Sequence, residues 1–171
     1  MFERFTRDAR VAVTAAVTES ERRGERHVGT DHLLLGVITA GGPVTSAALA
    51  AAGMDLQAAR RVWDEADLTA LAAIGVDVHR LPGPSGTAQR PRLRWLGRSA
   101  HRPFTGGAKR ALEGALREAL AREDRHIGSE HLLLALADRP APDPARHLLT
   151  ALDVEPADLR TDLERRLRDA A

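Results

Sequence analysis

Apolar residues recur at three- and four-residue intervals on both sides of residues 76–103, and no run alternates with the period of two that a half-buried strand needs. From Thr6, read as an N-cap, the residues Ala9, Val13, Ala16 and Val17 share one helical face, and Gly24 supplies the stop. The pattern places Thr30 as the cap of a second helix that runs through Thr39, with Leu33, Leu34, Val37 and Ile38 turned inward. Gly41-Gly42-Pro43 ends it. A third helix over 44–52 stops at Gly53, and a fourth starts at Asp55 and passes Val62 and Trp63. Residues 68–77 read as an extra short helix. The same plan returns over 105–121, 129–137, 144–152 and 155–168.

That return is an internal duplication. Phe5-Thr6 leads to His27-Val28-Gly29-Thr30-Asp31-His32-Leu33-Leu34-Leu35, and 99 residues later Phe104-Thr105 leads to His126-Ile127-Gly128-Ser129-Glu130-His131-Leu132-Leu133-Leu134. The register holds without a gap over residues 5–36, with Ala9, Ala12, Ala16, Glu19, Arg23 and Arg26 recurring at the same offset. The expected fold is therefore all-α: a pseudo-two-fold bundle of two four-helix repeats, about eight helices in all. The expected division is 1–75 for the first repeat, 76–103 for a flexible basic linker, and 104–171 for the second repeat. Leu81-Pro82-Gly83-Pro84-Ser85-Gly86 gives the linker its turn-rich character.

Charge changes this picture in one respect. The net charge of +1 conceals eight basic residues and no acid between Val78 and Leu112, which leaves 17 basic against 24 acidic residues elsewhere. Lysine occurs once, so nearly every cation is a guanidinium. The absence of cysteine excludes disulfides and thiol chemistry and suits a reducing interior. No apolar run approaches the roughly 20 residues of a membrane span, and residues 1–5 lack a signal-peptide pattern. The expected location is cytoplasmic.

The duplicated His-x-Gly-[Thr/Ser]-[Asp/Glu]-His segment carries the candidate chemistry. Thr30 or Ser129 beside a helix start, with free backbone N–H groups and the positive end of the helix dipole, makes a place for an anion. Asp31 or Glu130 next to it adds an acceptor for a cation. A ligand bearing a guanidinium and a phosphate on adjacent atoms suits both; ordinary helix stabilisation by a capped first turn is the bland alternative. The histidine pairs, His27 with His32 and His126 with His131, are five residues apart rather than four. Packing or hydrogen bonding is expected of them, and no metal site. No nucleophile elbow and no phosphate-cradling Gly-x4-Gly-Lys-[Ser/Thr] is present, so neither an enzyme nor a cofactor is expected.

Met1-Phe2-Glu3-Arg4-Phe5-Thr6, the two Gly-[Thr/Ser]-[Asp/Glu]-His-Leu-Leu-Leu segments and Pro103-Phe104-Thr105 together resemble the double Clp repeat, the N-terminal domain of ClpC-class AAA+ unfoldases. The resemblance covers residues 1–66 and 103–168. It implies a bundle of eight helices in two pseudo-symmetric sets, which receives substrates and adaptors for an ATPase ring and the ClpP protease. It further implies two equivalent sites for arginine-phosphorylated proteins. Asp31 and Glu130 would hold the guanidinium, with Thr30 and Ser129 beside them and Thr6 and Thr105 at the first helix of each copy. A hydrophobic peptide-binding surface for cyclic antibiotics of the cyclomarin type falls on Phe2 and Phe104. Two departures stand out: Asp31 replaces the usual glutamate, one methylene shorter, and the linker is longer and more basic. If the protein ends at Ala171, without an ATPase module, the expected resemblance is to stand-alone Clp-repeat proteins, with an adaptor, decoy or antibiotic-sink role and a ClpC-type unfoldase as partner. The rival reading is a nucleic-acid-associated protein that uses residues 78–112, where guanidiniums favour phosphates and Trp95 could stack on a base.

Overall fold

The computed structural model describes residues 2–73 and 102–170, without the side chains of Phe2 and residues 66–73. Among these residues are a short 3-10 turn at Phe2–Arg4 and eight α-helices. They are α1 (Arg7–Arg22), α2 (Thr30–Ala40), α3 (Pro43–Ala51), α4 (Leu56–Ala73), α5 (Gly106–Ala121), α6 (Ser129–Ala137), α7 (Pro144–Ala151) and α8 (Pro156–Asp169). The all-α, two-repeat bundle is as expected, and the expected linker, apart from Arg102 and Pro103, lies outside the described residues. One element differs. Residues up to Ala73 belong to α4 as one continuous helix rather than to a separate short one. Nothing in Trp63–Ala73 breaks a helix, since neither glycine nor proline occurs there.

Two helices form the centre. On α2 every residue from Thr30 to Val37 is buried, and on α6 so are Ser129 and His131 through Ala137. A helix apolar on all sides must be surrounded, and these two are: α1 and α5 cover them, and α3, α7 and α8 close the rest. The leucine triplets are the largest part of that core, with Leu33–Leu35 and Leu132–Leu134 at most 1% exposed. Close approach of α1 to α2 depends on Gly36, where a Cβ would lie 2.2 Å from the carbonyl oxygen of Ala12.

The repeats are interleaved rather than laid side by side. Helix α3 of the first repeat packs on α8 of the second, and α7 of the second packs on α2 and α4 of the first. The entry strand of each repeat also pairs with the other repeat's loop. Phe5 bridges Ile127 and Val28 bridges Phe104, each in parallel sense. The bonds are Thr6 N–H to Ile127 O at 3.0 Å and Ile127 N–H to Arg4 O at 2.8 Å. Their twins are Thr105 N–H to Val28 O at 2.9 Å and Val28 N–H to Pro103 O at 3.0 Å. Single bridges of this kind leave no alternating pattern to read along the chain.

Repeated ion pairs hold the outer helices. Glu19 of α1 meets Arg60 of α4, and Glu118 of α5 meets Arg160 of α8 at 3.0 Å. Arg23 pairs with Asp64 at 2.6 Å, Arg122 with Glu164 at 3.4 Å. The Glu19 carboxyl is buried, which alone would raise its pKa, yet the Arg60 and Arg22 guanidiniums hold it below its ordinary value. The chain reverses after α1 and α3 at Gly24 and Gly53, both at φ near +70°. In the second repeat those left-handed positions fall to Glu123 and Asp153, where L side chains are strained.

Candidate binding cleft

Thr6 and Thr105 cap α1 and α5 as expected, accepting from Ala9 N–H at 3.4 Å and Ala108 N–H at 3.1 Å. Thr30 and Ser129 do not cap. Gly29 and Gly128 occupy the N-cap positions in extended conformation, and Thr30 and Ser129 begin the helices. The histidine three residues after each glycine reaches back in place of the usual Glu or Gln of a capping box. Gly29 N–H donates to His32 Nδ1 and Gly128 N–H to His131 Nδ1, both at 3.0 Å. Since Nδ1 accepts, the proton sits on Nε2. His131 Nε2 thus donates to Asp124 at 3.0 Å, whereas buried His32 Nε2 has no hydrogen-bond partner among the described residues, Glu25 Oε2 standing off at 3.6 Å.

The hydroxyls expected to meet a ligand are instead tied into the seam between the repeats, with Thr30 1% and Ser129 0% exposed. Thr30 Oγ1 donates to Asp143 Oδ1 at 2.7 Å, across to the N-cap of α7. Ser129 Oγ donates to Asp8 Oδ2 at 2.6 Å, and Ser129 N–H joins the same oxygen at 3.2 Å. Gly42 N–H and the Thr45 hydroxyl also meet Ser129 Oγ, at 2.8 and 3.0 Å. Each seam therefore holds one carboxylate, supplied from opposite places. Where α1 carries Asp8, α5 has Gly107; where α7 is capped by Asp143, α3 is capped by Gly42. A Cβ on Gly42 would lie 3.0 Å from Asp8 Oδ2, and one on Gly107 3.6 Å from Asp143 Oδ2. Asp8 thus already occupies part of the α6 start that the sequence suggested for a phosphate. Nothing local signals this exchange beyond the two mismatched positions.

Burial alone would raise the Asp8 pKa, but its bonds from Ser129 and Thr6 outweigh that and lower it below 3.8. Its contribution is present above that ordinary value and is lost as the pH falls through the lower folded one. Asp8→Asn should cost about 1–2 kcal/mol at neutral pH, allowing for solvent screening. The gap from wild type should close below about pH 4. Urea titrations at pH 7, 4 and 3 check this, and a gap unchanged at pH 3 contradicts it.

The two motif acids part company. Asp31 is 8% exposed, and its Oδ1 accepts from His32 N–H at 2.9 Å. Nearby, Arg23 stacks 3.9 Å from the centre of the Trp63 ring and pairs with Glu25 and Asp64. Glu130 is half-buried and makes no hydrogen bond among the described residues; its Oε1 lies 3.3 Å from His131 Nδ1, which carries no proton to offer it. Its carboxylate folds back over Gly128, where a Cβ would stand 1.9 Å from Oε1. Glu130 lines a cleft of about 530 Å³ with Thr6, Arg122, Asp124, Arg125, His126 and Arg168. Arg125 and Arg168 have no ion pair among the described residues. The structure thus joins Glu130 to Thr6 of the other repeat, not to Thr105. Thr105 is tied instead to Val28, three residues before Asp31. Sequence comparison missed the arginines, although Arg23 and Arg26 recur as Arg122 and Arg125.

Phe104, half-buried, packs against the core beside its bridge to Val28, and its twin Phe5 is 3% exposed. The Phe2 side chain lies outside the described residues. Among those residues no three His, Cys, Asp or Glu side chains gather as a metal site.

The family model for the Clp repeat (R) N-terminal domain matches residues 4–89, 64–143 and 103–171. Chaperone protein ClpC2, chloroplastic, from Oryza sativa subsp. japonica is 33% identical over 165 residues, which is 96% of this chain and 15% of that protein. The ClpA homolog of the ATP-dependent Clp protease ATP-binding subunit, chloroplastic, from Brassica napus is also 33% identical, over 96% of this chain and 16% of its own length. The chain thus spans about one sixth of the curated relatives it matches. The crystal structure of the N-terminal domain of ClpD from Arabidopsis thaliana superimposes with a TM-score of 0.68. It covers 98% of this chain and 97% of its own at 23% identity, which supports the fold. With the duplicated helices, their interleaving and these matches together, the chain belongs to the Clp repeat N-terminal domain family.

Proposed function

We propose that this Clp N-domain-like module recognises phosphoarginine-bearing protein segments, and that it does so at one cleft, around Glu130. The observation that carries the reading is a carboxylate that makes no hydrogen bond among the described residues, in a cleft that also holds Arg122, Arg125 and Arg168. A phosphorylated arginine is a planar cation joined to an anion. The carboxylate suits the guanidinium in a paired geometry, and arginines suit the phosphate. Asp31 is already engaged by His32 and nearly sealed, so its twin site contributes no binding. Within a Clp system such a module would act as an adaptor or a decoy for marked proteins.

Calorimetric titration with free phosphoarginine is expected to give saturable heat with one ligand per chain. Glu130→Ala should weaken it at least tenfold, the worth of a charged hydrogen bond of about 1.5–3 kcal/mol. Asp31→Ala should leave affinity within about twofold. No heat at millimolar ligand would refute mark recognition, and two ligands per chain would refute the single site. The cyclic-antibiotic reading rests on Phe2 and the half-buried Phe104, and binding of a cyclomarin-type peptide that survives Phe104→Ala would remove it.

A further inference from the structure

A second cleft, of about 550 Å³, opens on the other side of Glu130. It shares Thr6, Glu130 and Leu167 with the charged cleft, but its other walls are mainly apolar: Val11, Ala40, Pro43 and Val44 from α1, α2 and α3, with Arg7, Asp8 and Gly42 at their margin. Val11 is 48% exposed, one of two large apolar side chains so open among the described residues. The two clefts form one groove with a charged lobe and an apolar lobe, and Glu130 stands at the junction.

We infer that the groove takes an extended segment of polypeptide in which an apolar side chain lies within two residues of the modified arginine. This rests on the mark-reading function proposed above and adds its sequence context. The charged lobe fixes the occupant through complementarity: a carboxylate for the guanidinium, and for the phosphate Arg125 and Arg168, which have no ion pair among the described residues. In an extended chain successive side chains point to opposite faces, and residues two apart share a face roughly 7 Å from each other. A residue two positions from the mark therefore reaches across Glu130 into the apolar lobe, where Val11, Val44 and Leu167 can cover it. Free phosphoarginine has no such neighbour and would fill one lobe only.

The test uses the full chain and three probes: free phosphoarginine, a pentapeptide with phosphoarginine at the centre of four glycines, and the same peptide with leucine at its first and last positions, two residues from the mark on either side. The leucine peptide is expected to bind about tenfold more tightly than the glycine peptide, since burying one leucine is worth that much after ordering losses. Val11→Ser combined with Val44→Ser should erase the leucine advantage and leave free phosphoarginine within twofold. Val11→Ser alone, at an exposed position, keeps the test valid where the pair folds poorly, and should halve the advantage or more. Equal affinity for the two peptides would overturn the inference while leaving mark recognition standing. Absence of heat with free phosphoarginine would overturn the function on which it rests. Sedimentation without ligand adds one more outcome: a dimer that Val11→Ser dissociates would give the apolar lobe to a second copy and overturn the peptide reading.

Discussion

Gly36→Val should lower the unfolding free energy by about 3 kcal/mol, or abolish folding. The first atom of any side chain at this position would stand 2.2 Å from Ala12 O and 2.9 Å from Ala16 N, both backbone atoms of α1. Backbone cannot turn aside as a side-chain tip can, so α1 and α2 must separate. Their separation loosens the contact that buries Ala9, Ala12 and Ala16 against the first leucine triplet. Over-packing of this type costs about 1–3 kcal/mol, occasionally more, and exceeds the roughly 1 kcal/mol by which leaving glycine favours a helix interior. Gly114→Ala in the second repeat is the informative companion. Its Cβ would meet the Ala135 side chain at 3.0 Å, a contact that small shifts relieve. Thermal and urea denaturation of both variants decide the matter, and a Gly36→Val protein as stable as wild type would refute the packing argument.

Gly128→Ala should do the reverse: the protein folds and ligand binding is weakened. Here the three atoms nearest the new methyl group all belong to the Glu130 carboxylate, at 1.9 to 2.4 Å. That group swings away at little cost, and the extended N-cap conformation, φ −90° and ψ 175°, is open to alanine. The loss in stability should stay below about 1 kcal/mol, the cost of a poorer cap residue. Phosphoarginine affinity should fall about tenfold, because the carboxylate no longer lies over the start of α6, facing Thr6 and the arginines. Unchanged binding with a shifted carboxylate would show that its position is immaterial. Gly29→Ala provides the contrast: it displaces Asp31, whose Oδ1 holds His32 N–H, so stability should suffer and binding should not.

Much of the architecture is written in local pattern. Periods of three and four, with Gly24, Gly53 and the Gly41-Gly42-Pro43 stop, mark most helix ends within a residue or two. The 99-residue echo marks the pseudo-symmetry. The motif was less readable at its caps. A threonine or serine after glycine fits either a cap or a first helical residue, and the histidine that completes the capping box is outside its usual Glu/Gln vocabulary. Hence Thr30 and Ser129, assigned to a ligand, are spent on Asp143 and Asp8.

The sequence by itself determined which segments become helices, which faces are apolar and that the plan is executed twice, because those properties depend on neighbours three or four residues away. Only the tertiary structure decided which copy of each element meets which. A perfect duplication is silent on whether Thr6 faces Asp31 or Glu130, and the parallel bridges through Phe5 and Val28 settle it in favour of exchange. The same folding set the two acids apart. Asp31 was drawn under its own helix start, while Glu130 was left open between α1 and α8, because Asp against Glu and Trp63 against Leu163 fill the two pseudo-equivalent spaces differently.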